Sequence, residues 1–315
     1  MKTLIVVTLF LFQICFVNGQ TSLKEINLKN GEYNVGFKHY TMIDSTRQYQ
    51  IANDFNNKLV FRPIPISIWY PAEMDTQNYK QLTVLDYLEI LKTEEESKEL
   101  PNELLLDWFP DLGGDTPQNR AHLYEKANAF SHAKFLEGKF PVIVYAASFR
   151  ASSIENFALF EFLASNGFVV ISSPSRGTDT RWLEGGTKAM ETQSRDVEFL
   201  LKEIYQYEFI DFDKIALMGF SFGGLSNAIT VMKNKSISAL VSLDGTERYE
   251  YAILEKSPYF NLDRLNIPYI HFAQKDIPEE VLTSNKISAE LNYKFQLYDS
   301  LNYSKAYSYK FHDLG

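Results

Sequence analysis

The sequence predicts an α/β protein with a mainly parallel central sheet, an antiparallel N-terminal edge and a helical insertion. Three observations carry this. From Pro141 onward, short apolar runs alternate with helical patterns, as strand–helix–strand units do. Upstream, Ile64, Ile66 and Ile68 alternate with Pro65, Ser67 and Trp69, the period-two spacing of a strand. Between these parts, residues 73–140 lose the rhythm: Leu85, Leu88 and Leu91 fall at helical spacing and Glu94-Glu95-Glu96 follows. A structureless loop of that length is improbable inside a domain, so a helical insertion is expected at about 73–140.

Taken in order, the chain opens with Lys2 and the apolar run LIVVTLFLFQICFV (4–17), followed by Asn18-Gly19-Gln20. The run is too short to span a membrane, which takes about 20 apolar residues. With small Gly19 at a cleavage point it reads as a secretory signal peptide, 1–19, so a secreted or periplasmic protein is expected. Residues 20–315 then form a single domain, and cleavage removes Cys15, the only cysteine. Neither a disulfide nor a thiol nucleophile is left. Residues 31–44 and 61–72 read as a hairpin at the sheet edge, where Pro63 and Pro65 are tolerated. PVIVYAA (141–147) is a strand buried on both faces. Ser152 and Glu155 have capping-box spacing ahead of a helix ending near Gly167. FVVISSP (168–174), a helix carrying Val197, Leu200, Leu201 and Ile204, and strands KIALMGF (214–220), SALVSL (238–243), PYIHFA (268–273) and AYSYKF (306–311) complete the pattern.

Forty acidic against 31 basic side chains give a net charge of −9. That argues against nucleic acid as a partner, because phosphate binding draws on lysine and arginine. The acidic excess is spread along the chain and reads as solubility. His122, Glu125 and His132 do not complete a metal-ligand spacing; they are expected on the surface of a helix, with neither metal nor cofactor bound. Tyr293, Tyr298, Tyr303, Tyr307 and Tyr309 are expected to pack a late helix and strand. Nothing in the pattern fixes an oligomeric state.

The chemistry centres on Ser221. Gly219-Phe220-Ser221-Phe222-Gly223 matches G-x-S-x-G, after an apolar strand and before a helix, which is the setting this nucleophile turn requires. The glycines admit a sharp turn between strand and helix, and Gly224 lets the helix cross close to the sheet. The turn aims the Phe222 N–H where it can stabilise an oxyanion. The segments PVIVYAASF, FLASNGFVVISSPSRGTDTR, Arg195-Asp196-Val197 and DFDKIALMGFSFGG, with GEYNVGF and IWYPAE upstream, resemble α/β-hydrolases of the platelet-activating-factor acetylhydrolase and dienelactone hydrolase-like group. The resemblance implies carboxyl-ester hydrolysis through a Ser-Asp-His triad. Two aspartates compete for the acid. Asp244 ends the strand after the nucleophile helix, as in the acetylhydrolase type, and Asp276 ends the next strand, where the wider fold carries its acid. The acetylhydrolase-like elbow favours Asp244.

Triad order leaves His271 and His312. His271 lies mid-strand and reads as a packed residue. His312 is the only histidine after both aspartates, yet it continues the last strand, SYKFH, whereas the resemblance puts the histidine on the loop just past it. The chain stops after Asp313-Leu314-Gly315, where similar proteins continue with a helix, so the sequence is expected to end early. His312 serves as base if the strand ends sooner. Many relatives carry His-Gly after the first central strand, where this chain has Ala147-Ser148; the second oxyanion donor is then the Phe149 N–H. The expectation is therefore a secreted serine hydrolase for a small-molecule carboxylic ester. Its rivals are a serine peptidase or lactonase of the same fold, or a non-catalytic or truncated hydrolase-like protein lacking the triad histidine.

Overall fold

The computed structural model describes residues 22–51, 58–73, 78–285, 288–302 and 305–312. The expected leader, 1–19, lies outside them, as do Tyr303 and the last three residues. Among the described residues no helix is long and apolar enough to cross a membrane.

The strands are β1 (Asn34–Gln50), β2 (Leu59–Ala72), β3 (Gln81–Thr83), β4 (Lys126–Ser131), β5 (Phe140–Ala146), β6 (Val169–Ser173), β7 (Ile210–Phe220), β8 (Ala239–Leu243), β9 (Tyr269–Ala273) and β10 (Ala306–Lys310). They form one sheet in the order β10-β9-β8-β7-β5-β6-β2-β1-β4-β3. The six strands from β5 to β10 run parallel, and β2 joins β6 antiparallel. The helices that matter here are α1 (Val84–Glu94), α2 (Leu105–Trp108), α3 (Pro117–His122), α4 (Phe157–Ser165), α5 (Gly186–Glu203) and α6 (Phe222–Lys233).

Side-chain alternation on β5 divides the core. Val142, Val144 and Ala146 pack with Val197, Leu200 and Leu201 of α5 and Leu225, Ala228 and Ile229 of α6. Ile143 and Tyr145 face the other way, against Phe160 and Ala164 of α4 and Tyr87 and Leu88 of α1. Burial on both faces is why β5 and β6 read as unbroken apolar runs.

Two expectations change. The segment 73–140 is not only helical: β3 and β4 extend the sheet, with β4 parallel to β1. The β1–β2 hairpin is therefore interior, and the outer edge belongs to β3. The prolines still fit, because β2 pairs with β6 only over Ser67–Trp69. Pro63 and Pro65 lie on the overhang beyond, where β2 bonds to β1 alone. This overhang projects past the carboxyl end of β6. There Arg62 donates to both carboxylate oxygens of Asp196 (2.9 and 2.5 Å), and Arg47 pairs with the same aspartate at 2.6 Å. All three side chains are buried. Removing one partner would strand a buried charge, so the trio fixes the hairpin to α5.

Candidate active site

Strand β7 leads through Gly219 and Phe220 into Ser221, and α6 begins at the next residue. Ser221 has φ 51° and ψ −116°, a conformation that costs a non-glycine residue on the order of 1–3 kcal/mol. The turn is tight enough to dictate its neighbours. A Cβ on Gly219 would stand 2.4 Å from the Gly223 carbonyl carbon, and one on Gly223 would stand 2.0 Å from Ala146 O. At Gly224 the helix does pass close to the sheet: a Cβ would meet the Ser242 hydroxyl of β8 and the Glu247 carboxylate beyond it, each at 2.6 Å.

The turn after β8 wraps around the serine. Ser221 N–H donates to Leu243 O at 3.0 Å, and Thr246 N–H donates to Ser221 O at 2.9 Å. The Ser221 and Thr246 hydroxyls lie 3.4 Å apart. Asp244, within this turn, has φ 46° and gives its N–H to Phe272 O at 2.6 Å. Its carboxylate accepts from Tyr249 O–H at 3.1 Å and from Gln274 N–H at 3.4 Å. Burial raises its pKa, against the pull of those two donors. Asp276 is placed differently. It lies past the end of β9, half exposed, in an ion pair with Lys310.

His312 is exposed and makes no hydrogen bond to Ser221, Asp244 or Asp276. The last strand ends at Lys310, sooner than the run SYKFH suggests, with Phe311 N–H still bonded to Ala273 O. His312 thus follows the strand, at the carboxyl end that also carries Asp244. One strand, β9, separates the two, so they stand about two strand spacings, roughly 10 Å, apart. The turn that carries Asp244 is hydrogen-bonded to Ser221, and His312 makes no hydrogen bond to either residue. His271 is fully buried in β9 against Phe295, and burial lowers its pKa to about 4.

The turn after β5 carries Phe149, the expected second oxyanion donor. Ala151 N–H closes it onto Ser148 O at 3.1 Å, and Arg150 takes φ 60°. The Phe149 and Phe222 rings meet edge to face, centroids 5.7 Å apart, so the two expected donor loops are neighbours. Gln193 of α5 ties them together. Its amide N–H donates to Ala147 O at 2.6 Å, and its carbonyl accepts from Ser226 of α6 at 2.7 Å.

Sequence reasoning missed Gln193 and Thr246, and misread Glu155. The Ser152/Glu155 capping box does not form: α4 starts at Phe157 with Asn156 at its cap. Ser152 bonds to Glu94, while Glu155 bonds to Ser148 and Tyr145. His122 is buried, because the last turn of α3 and Leu123 face the core. Tyr293 and Tyr307 are exposed; Tyr298 stacks on Phe295 and Tyr309, half exposed on β10, stacks on Phe272 of β9, as expected.

The topology can now be compared with known proteins. Among solved structures, the chain is similar to a ferulic acid esterase from Streptomyces cinnamoneus. The TM-score is 0.57 at 17% identity, covering 90% of this chain and 74% of that one. This chain has the α/β-hydrolase fold. A model of the prolyl oligopeptidase family matches residues 155–265, the stretch holding both Ser221 and Asp244. No curated protein matches the chain. The structural likeness bears on the fold, and the family match supports a serine hydrolase of this fold. The family match differs from the acetylhydrolase group that the sequence motifs resemble.

Proposed function

We propose that the protein is a secreted serine hydrolase cleaving small-molecule carboxylic esters, with Ser221 as nucleophile, Asp244 as acid and His312 as base. The observation that carries this is the backbone of Ser221. A non-glycine residue held at φ 51° between two glycines that admit no Cβ is a strained turn with a chemical purpose. Ser221 Oγ attacks the ester carbonyl carbon as His312 takes its proton. The Phe149 and Phe222 N–H groups hold the resulting oxyanion. Collapse breaks the bond to the alcohol, which leaves with the proton from His312, and water then releases the acid by the same steps. Partial burial of Asp244 beside the elbow supports it as the acid over Asp276, whose charge Lys310 already takes up. The reading requires the imidazole to cross the end of β9 toward Asp244. Export rests on the leader sequence alone.

A second reading, a serine peptidase, is favoured by the prolyl oligopeptidase family match. The acyl chemistry is shared, and the substrate decides. A fluorophosphonate probe tests the nucleophile: labelling is expected at Ser221 and lost in Ser221→Ala. Labelling that persists at another serine overturns it. A panel of p-nitrophenyl esters and peptidyl p-nitroanilides then separates the readings. Turnover of the anilides alone would replace esterase with peptidase.

A further inference from the structure

The loop that follows β5 is gripped by two carboxylates that the triad does not use. Glu155 is partly buried, and accepts from Ser148 N–H at 2.7 Å, Ser148 O–H at 2.6 Å and Tyr145 O–H at 2.8 Å. Ser148 immediately precedes Phe149. At the other end of the loop Glu94, 1% exposed, accepts from Ser152 O–H, from Ser153 N–H at 2.9 Å and from Ser153 O–H at 2.5 Å. Glu94 is the last residue of α1, so this grip comes from the insertion. Its main-chain carbonyl accepts from Arg176, on the loop after β6, and Ser175 N–H donates to Ala151 O at 2.9 Å.

A carboxylate withdrawn from water, wholly as at Glu94 or partly as at Glu155, has its desolvation offset only while its hydrogen-bond donors stay in place. Both grips therefore resist any shift of the turn between them, where Arg150 holds φ 60°. We propose that Glu155 and Glu94 are positioning residues that hold the Ser148–Ser153 loop, and with it the Phe149 N–H, in its oxyanion-binding pose. The catalytic part of this rests on the hydrolase reading above. The insertion is then a fixed buttress of the site, because the residue that anchors it also anchors the loop.

The geometry also says which substitution is informative. Glutamine keeps the shape of glutamate but turns one acceptor oxygen into a donor, which cannot receive the serine hydroxyl and amide as the carboxylate does. The test is Glu155→Gln and Glu94→Gln in the full chain, read in two ways. Amide hydrogen exchange, which needs no activity, should speed up at least 10-fold over residues 148–153 in each variant. The Ser221–Gly224 amides should stay as protected as in the wild type. In ester hydrolysis, kcat should fall by ~10–10², up to the loss of one oxyanion donor, with KM nearly unchanged. Affinity for a trifluoromethyl ketone, which forms a tetrahedral adduct, should fall in parallel. If Glu155→Gln does not fold, Ser148→Ala removes one donor and should give the same pattern more weakly. Unchanged exchange over 148–153 in folded variants overturns the proposal. So does faster exchange with undiminished turnover. Faster local exchange in a protein whose wild type neither turns over esters nor reacts with fluorophosphonate upholds the clamp and overturns the hydrolase reading instead.

Discussion

Replacing Ser221 with alanine and with glycine should separate the strain of the elbow from its chemistry. Both variants lose the nucleophile, and both lose the weak 3.4 Å contact with Thr246. They differ only in the Cβ that alanine keeps. At φ 51°, ψ −116° that Cβ sits in a conformation costing roughly 1–3 kcal/mol, which glycine does not incur. Glycine brings its own cost, about 0.5–1 kcal/mol of extra chain entropy in the unfolded state. Ser221→Gly should therefore be more stable than Ser221→Ala by about 0.5–2 kcal/mol. In a domain of this size that is a Tm rise of a few degrees, at about 2–4 °C per kcal/mol. Urea midpoints at constant m-value and thermal scans measure it directly. If Ser221→Gly proves the less stable of the two, by about the glycine entropy, the elbow is unstrained. The geometric case for a nucleophile then loses its main support.

Gly223→Ala should lose several kcal/mol and all activity, since its Cβ would stand 2.0 Å from Ala146 O and α6 would have to retreat; a soluble, active variant would contradict the packing. Asp244→Asn should lower ester turnover by ~10⁴, as in other triads, and Asp276→Asn should change it little; the reverse order would move the acid to the later strand. His312→Ala should abolish turnover without moving the urea midpoint, because the side chain is exposed; full activity would remove it from the mechanism. Burial lifts Glu155, Glu161 and Glu247 to about 7, above their unfolded value. Each thus contributes stability that is present below about pH 4.5 and lost as pH rises through about 7, by roughly 1.4 kcal/mol per unit. His271, lowered to about 4, acts oppositely between about pH 4 and 6.5. The urea midpoint should accordingly fall between about pH 4.5 and 7, where three carboxyls outweigh one histidine, and level off above; a midpoint that rises through that window would mean that these carboxyls are ionised in the fold.

What the sequence revealed and what it concealed follow from the range of the interactions. Strands β5 and β6 were legible because burial on both faces leaves an apolar run that any reader can find. Ser221 was legible because its turn depends on residues two positions away on either side. Ser152 and Glu155 illustrate the opposite case. Their spacing satisfies a local rule, yet Glu94, 58 residues from Ser152, offers the serine a buried carboxylate instead. Gln193 carried a faint signal, a polar residue facing inward on α5 beside Met190 and Val197. Its partners, Ala147 and Ser226, come only with the tertiary fold. The strands β3 and β4 were hidden by length and by polarity, since three residues, or KANAFS, leave too little periodicity to read.

The position of β7 between β5 and β8 also governs how the protein is made. Residues 140–146 leave the ribosome well before 210–220, so one flank of β5 waits without its ladder while β6, α5 and their connections are synthesised. The waiting strand is apolar on both faces and has an open row of peptide groups, the features that invite pairing with another chain. The nucleophile strand is itself the piece that closes this gap. Synthesis thus delivers Ser221 in the step that fills the centre of the sheet, ahead of β8 to β10 and of Asp244 and His312, and a chain stalled before residue 220 should be prone to aggregate.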